Sequence, residues 1–234
     1  MTVRLRTLGT ADRELAAAFL AESPTENLFL AAKVASFGLD RRRLGRVHAF
    51  ERDGRVGALL LDLDSPGGEV SGCFAFARKL STMGARNGGK PIIAFANEMA
   101  CSAAYAIASA CDAVMTTPTG QVGSIGVWTM MVDMTKGLSK NGIEVTMIRA
   151  GERKARGGPY EHADKATVDK LQGWVDETWG MFADHVAANR PISRQAVMAL
   201  EGDWFTGNDA LGLGLVDAVD TPEAIFEAVA KLAR

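Results

Sequence analysis

The chain has 234 residues, 47% of them hydrophobic and 23% charged, with a formal net charge of −2. That balance is ordinary for a globular protein of one large or two small domains, and it excludes a general electrostatic attraction to nucleic acid or to a membrane surface. No run approaches the roughly 20 apolar residues of a membrane span, and the best candidate for an export signal, Leu15 to Ala21, is flanked by Glu14 and Glu22 where a basic start is required. A cytoplasmic protein is therefore expected. Three cysteines, Cys73, Cys101 and Cys111, lack metal-ligand spacing and fit a reducing compartment. No metal or other cofactor is implied. Arg41-Arg42-Arg43 reads as a solvated face.

Within residues 1–50, Ala11 to Ala21 and Asn27 to Phe37 have the spacing of amphipathic helices, and Arg41 to Phe50 has no readable pattern. The chain becomes regular from residue 56. Val56 to Leu63 is an almost continuous apolar run, as in a strand buried on both faces. A turn at Gly67-Gly68 leads into a helix over Val70 to Met83. Ile92 to Ala96 predicts a second strand, Ala103 to Ala110 a second helix and Ala113 to Thr116 a third strand. Gly120 to Gly126 is a glycine-punctuated loop. Val132 to Lys140 predicts a helix stopped by Asn141-Gly142, and Glu144 to Ile148 a further buried strand. A long helix is expected over Asp164 to Asn189, where Val168, Leu171, Val175, Trp179 and Phe182 recur at three- and four-residue steps. Ser193 caps a short helix to Leu200, and Thr206 caps another that closes at Gly212 to Gly214. Leu215 to Val219 predicts the last strand, and Thr221-Pro222 opens the C-terminal helix. Alternating strands and helices predict βαβ units in a mostly parallel sheet with helices outside it.

Three stretches carry chemistry. Ser102 follows an apolar strand and opens a helix of small residues, so it is a candidate nucleophile. A serine hydroxyl needs a base. Of the three histidines, His48 lies before the regular region, His162 after the glycine-rich loop and His185 on the polar half of the long helix, so each reads as a surface residue. A lysine serves when desolvation favours its neutral form. Lys154, in Gly151-Glu152-Arg153-Lys154-Ala155-Arg156-Gly157-Gly158-Pro159, is the candidate; the alternative is a solvated lysine between two arginines. Acyl transfer also needs oxyanion donors. The free N–H groups of the Gly67-Gly68 turn and the helix start after Ser102 offer them, although Ser-Pro-Gly-Gly taken alone is more often a plain turn. Ser124, among Gly120, Gly123 and Gly126, is either part of the site or a loop serine bonded to nearby backbone. Cys101 is a rival nucleophile with no histidine near it in sequence.

The order of these motifs is more specific than any one of them. Leu61-Asp62-Leu63-Asp64-Ser65-Pro66-Gly67-Gly68, Ala96-Asn97-Glu98-Met99-Ala100-Cys101-Ser102-Ala103-Ala104-Tyr105, Gly123-Ser124-Ile125-Gly126, Lys154-x-x-x-Gly158-Pro159-Tyr160 and Phe205-Thr206-Gly207 through Gly214-Leu215-Val216-Asp217 resemble peptidase family S49. That family includes the signal peptide peptidase A proteins and the protein C-like head-maturation proteases of tailed phages. The resemblance implies a Clp protease/crotonase-like α/β fold, a spiral of ββα units. It implies a Ser102–Lys154 dyad, an oxyanion hole at Gly68 with Ala103 as second donor, and Ser124 orienting the lysine. It also implies a homo-oligomeric ring and protein substrates such as capsid scaffold or portal protein, in a host cytoplasm or phage prohead. Residues 51–234 are expected to form the peptidase domain. Residues 1–50 lack the family's apolar-Pro-x-x-Gly strand and stand as a divergent or truncated N-terminal segment. Two other classes share features of this pattern: a crotonase-type acyl-CoA enzyme, with Glu98 as its carboxylate, and an assembly-only relic without activity.

Overall fold

The structure, a computed structural model, describes residues 4–8, 46–53 and 55–233. The helices expected at 11–21 and 27–37 lie outside the described residues. The chain divides into two compact units, one of Met1–Gly126 with Phe182–Arg234, the other of Val127–Met181.

The first unit is built on a sheet whose central strands are β3 (Arg55–Ser65) and β4 (Ile92–Cys101), paired in parallel from Leu59↔Ile92 to Ser65↔Ala100. Both are buried on both faces, and the two-residue period of a strand sends alternate side chains to opposite layers. Leu59, Leu63, Ile92, Ala94 and Ala96 enter one core; Ala58, Leu60, Ile93 and Phe95 enter the other. The first core is covered by α1 (Cys73–Met83), α2 (Ala103–Ser109) and the end of a long helix from Phe182 onward. There the Phe74 and Phe182 rings meet edge to face at 5.5 Å. The C-terminal helix α7 (Pro222–Leu232) closes the second core with Ile225 and Val229. Fully burying a side chain such as Leu60 or Ile225 is worth about 1.5–3 kcal/mol.

The sheet order is β1 (Arg4–Leu8), β2 (Arg46–Arg52), β3, β4, β5 (Ala113–Thr116), β8 (Ala218–Val219). β6 (Gln121–Gly123) pairs with β4, and β7 (Trp204–Thr206) pairs with β6. The β3–β4, β4–β5, β4–β6 and β5–β8 pairings are parallel, and β1–β2, β2–β3 and β6–β7 are antiparallel. The expected mostly parallel sheet is thus its centre, with antiparallel strands added at its margins.

β1 and most of β2 come from residues 1–50, where no strand was expected. β2 escapes periodicity because Arg46 and His48 interrupt its apolar run, although His48, Ala49 and Phe50 are all buried. The Asp53-Gly54 dipeptide that follows is a hairpin signal. Other boundaries move for local reasons. The helix expected from Val70 begins at Cys73, after Gly72 at φ 75°. The short helix α5 (Arg194–Met198) starts where Ser193 accepts a bond from the Ala196 N–H, and α7 where Thr221 accepts from Ala224, as their caps foretell. The last strand holds only Ala218 and Val219, because Leu215 and Val216 are buried in the helix-facing core instead. Between β7 and β8, α6 (Gly207–Gly212) fills the crossover.

The second unit contains α3 (Thr135–Lys140), a long loop and the first part of α4 (Lys165–Asn189). α3 begins later than expected because the Asp133 carboxylate accepts from the Thr135 N–H at 2.8 Å. The buried strand expected at Glu144 to Ile148 is not formed: the segment pairs with no described strand, and Ile143, Val145 and Ile148 are exposed. Strand propensity reports fit to a pleated, half-buried surface, and no neighbour supplies that surface here. Among the described residues, no apolar side chain of 127–181 is buried.

Candidate active site

The C-terminal ends of parallel strands are where open α/β sheets place their sites, and three such ends converge in the first unit. Residue Ser65 of β3 pairs with Ala100 of β4, and Cys101 of β4 pairs with Gly123 of β6. β4 reaches this point because it changes partner along its length, from β5 at Ile93 to Ala96 to β6 at Met99 to Cys101. Ser102, Gly67-Gly68 and Ser124 therefore leave the sheet side by side.

Ser102 has φ 52° and ψ −123°, a conformation that side chains disfavour and that costs on the order of 1–3 kcal/mol. It is held there by its main chain. The Ser102 N–H donates to Gly123 O at 2.8 Å, and the Ser102 carbonyl accepts from Ala106 N–H at 3.0 Å. Its hydroxyl makes no capping bond to α2. Tyr105, fully buried, anchors α2 by donating to Leu215 O at 2.7 Å. Gly67, at φ 119°, lies directly against the serine: a β-carbon there would stand 2.6 Å from Ser102 Cβ and 3.1 Å from its Oγ. Gly68 is exposed and faces open space. Neither its N–H nor that of Ala103 has a partner among the described residues. The sequence singled out the Gly67-Gly68 turn for its N–H groups; that Gly67 packs against Ser102 is seen only in the structure.

Ser124, at φ 50°, is half-buried. Its N–H donates to Asp203 O at 2.7 Å, so the backbone rather than the hydroxyl is what the loop holds. Beside it, Leu200 to Asp203 and Phe205 line an open groove of about 630 Å³.

The rival groups are committed elsewhere. Cys101 is buried, and burial pushes its thiol up to about 11, which keeps it protonated at neutral pH. The expectation of three surface histidines holds only for His162. His48 is buried 3.5 Å from Asp62. His185 is buried with Nε2 2.8 Å from Ala106 O, and burial holds its imidazole below the usual histidine range. Glu98, the carboxylate of the acyl-CoA reading, is exposed beside a register shift between β3 and β4.

Lys154 belongs to the second unit. It is exposed, and the buried strand expected to lead into it is absent, so the loop by itself does not desolvate it. The Lys154 N–H donates to Gly151 O at 3.0 Å, and its carbonyl accepts from Arg149 Nη1 at 3.2 Å. Arg149 also forks onto Glu161, at 3.1 and 2.5 Å. Arg156 is paired with Glu152 and Asp164, each at 3.0 Å. His162 bonds Asp133, whose carboxyl is lowered to about 2, chiefly by the Thr135 hydroxyl and N–H and further by His162. No group of three or more metal-ligating side chains occurs among the described residues.

A model of "Peptidase family S49" matches residues 84–234. The chain is 36% identical over 183 residues to capsid assembly protease C of Escherichia phage lambda, covering 78% of this chain and 41% of that protein. It is 35% identical over 165 residues to head-tail preconnector protein GP5 of Enterobacteria phage P21, covering 70% and 32%. It is 33% identical over 184 residues to the putative protease MJ0651 of Methanocaldococcus jannaschii, covering 78% and 58%. The chain thus spans less than two thirds of the length of each of these relatives.

Proposed function

The chain belongs to peptidase family S49, and from that premise we propose that it is a serine endopeptidase working through a Ser102–Lys154 dyad. Ser102 Oγ attacks the peptide carbonyl. Neutral Lys154 takes the hydroxyl proton and returns it to the leaving amine. The N–H groups of Gly68 and Ala103 receive the oxyanion, each such donor being worth ~3 kcal/mol of barrier, and the Ser124 hydroxyl orients the lysine. Water then releases the acyl group from Ser102. The observation that carries this reading is the serine itself: a left-handed φ at the end of β4, a hydroxyl unspent on the helix it opens, and Gly67 pressed against it.

The fold is read as the Clp protease/crotonase-like spiral, and the working enzyme as a homo-oligomeric ring. Support for assembly comes from residues 127–181, where Trp128 is 80% and Ile148 94% exposed. Apolar side chains of that size left in water favour an interaction surface there. The substrates are capsid scaffold or portal proteins in head maturation, in line with the names of the two phage relatives, and the place of action is a host cytoplasm or prohead.

A fluorophosphonate probe tests the reading. Wild-type protein is expected to be labelled and Ser102→Ala not, with casein hydrolysis lost in both Ser102→Ala and Lys154→Ala. Full proteolysis by Lys154→Ala would remove the dyad. Assembly without any cleavage by wild type would favour the relic.

A further inference from the structure

We infer that Arg149, clamped by Glu161, is the positioning residue for Lys154, an inference that rests on the Ser–Lys reading. The Lys154 loop holds an unusual backbone. Gly151, Ala155 and Gly157 have φ values of 88°, 65° and 79°. Ala155, next to the lysine, is there without the freedom of a glycine, so the turn needs bonds that outweigh its β-carbon's preference. Backbone bonds close the turn on itself, from Lys154 N–H to Gly151 O and from Gly158 N–H to Ala155 O, and two arginines brace it from outside. Arg156 closes the far side through Glu152 and Asp164. Arg149 closes the near side, and its bond goes to the carbonyl of Lys154 itself.

The geometry of Arg149 suits placement more than charge balance. A planar guanidinium that forks onto a carboxylate has its remaining donor directions set. With both nitrogens on Glu161, Nη1 is left aimed at the Lys154 carbonyl. The two side chains are 21% and 27% exposed, so the pair is partly open to water and what it supplies to the loop is geometry. The charges that act on Glu161 besides Arg149 are those of Arg156 and Asp164, and the clamp spans Arg149 before the loop and Glu161 after it. Fixing the lysine's peptide fixes where its side chain leaves the backbone. A general base displaced by about 1 Å loses on the order of 100-fold in rate.

The test uses the full chain and a fluorogenic peptide. Ser102→Ala and Lys154→Ala are measured first, and both are expected to lose turnover. Arg149→Gln is expected to lower kcat about 10- to 100-fold with KM within about twofold. Arg149→Lys, which keeps the charge and one donor, is expected to recover part of that loss. Amide exchange over 151–158 is expected to quicken at least ~10-fold in Arg149→Gln while β3 and β4 stay protected. Unchanged kcat in Arg149→Gln beside an inactive Lys154→Ala would overturn the positioning role and leave the dyad standing. Turnover by Lys154→Ala would remove the dyad, and the role with it. A loss of protection throughout β3 and β4 would overturn it in favour of a general structural role. If Arg149→Gln does not fold, Glu161→Gln carries the same expectation, and wild-type kcat there overturns the proposal.

Discussion

A β-carbon on Gly67 would lie 2.6 Å from Ser102 Cβ, closer than two unbonded carbons can stand. The glycine turn and the serine are thus one packed feature. Residue 67 also has φ 119°, which excludes a side chain on conformational grounds as well. Gly67→Ala is expected to cost more than about 1 kcal/mol of stability and to slow fluorophosphonate labelling of Ser102 at least ~100-fold. Thermal unfolding and labelling rate, measured on the same sample, check both parts.

Gly68→Ala provides the contrast. Its β-carbon would meet nothing within 4 Å. The variant keeps its N–H, so stability within about 0.5 kcal/mol of wild type and activity within a few-fold are expected. A collapse of activity equal to that of Gly67→Ala would mean that the two glycines do not divide the work as described.

Iodoacetamide distinguishes the neighbouring thiol from the hydroxyl. Cys101 is buried with its thiol near 11, so at pH 8 almost none is thiolate. Prolonged treatment at pH 8 is expected to leave proteolysis unchanged, and Cys101→Ala to remain labelled by fluorophosphonate. Stoichiometric inactivation by iodoacetamide would return the cysteine to contention.

Arg190 ties the end of α4 to the last crossover. Its side chain is 1% exposed and donates to Asp217 Oδ2 at 2.6 Å and to Gly214 O at 3.2 Å. Asp217 in turn accepts from the Val114 N–H at the start of β5. Arg190→Ala leaves the Gly214 carbonyl without its side-chain donor, while Asp217, 39% exposed, keeps the Val114 N–H, so a loss of about 1–3 kcal/mol is expected. Urea unfolding measures it.

Acid should weaken the fold through two groups of the first unit. Burial pushes the Asp217 carboxyl up, but the Arg190 bond, the Val114 N–H and the nearby arginine charges outweigh it and hold it below 3.8. A depressed carboxylate stabilises above its unfolded value, and that contribution is lost as pH falls through the folded one. His185 is depressed from 6.5, first by burial. Below 6.5 the unfolded chain takes up that proton before the folded chain does, so stability falls there too. Stability is expected to decline in two steps, the first beginning near 6.5 and the second below 3.8. His185→Gln should remove the first step, and a profile unchanged by that variant would assign the step elsewhere.

The surroundings of Ser102 were legible in the sequence because their requirements are local. The apolar run of β3, the glycines after it, the small-residue helix behind Ser102 and the glycines around Ser124 are each contiguous stretches. Their backbone demands write themselves as residue type: Gly67 at φ 119° and Gly123 at φ 107° admit little else. The caps Ser193 and Thr221 were legible for the same reason.

The two-faced central strands, the order of the strand-end turns and the family they resemble could all be read from the chain. Tertiary structure alone decided the rest, because strand pairing and burial join residues distant in the chain. Periodicity could not reveal that β4 changes partner from β5 to β6, the step that sets Ser102 beside Gly123. It could not place β1 and β2 on the sheet margin, since polar residues there obscure the pattern. It misread His48 and His185, which lie buried against neighbours from other elements, and it called Glu144 to Ile148 a strand where no described strand lies alongside. A strand-like sequence states only what a segment would do beside a suitable surface; whether the surface is there is settled by the fold.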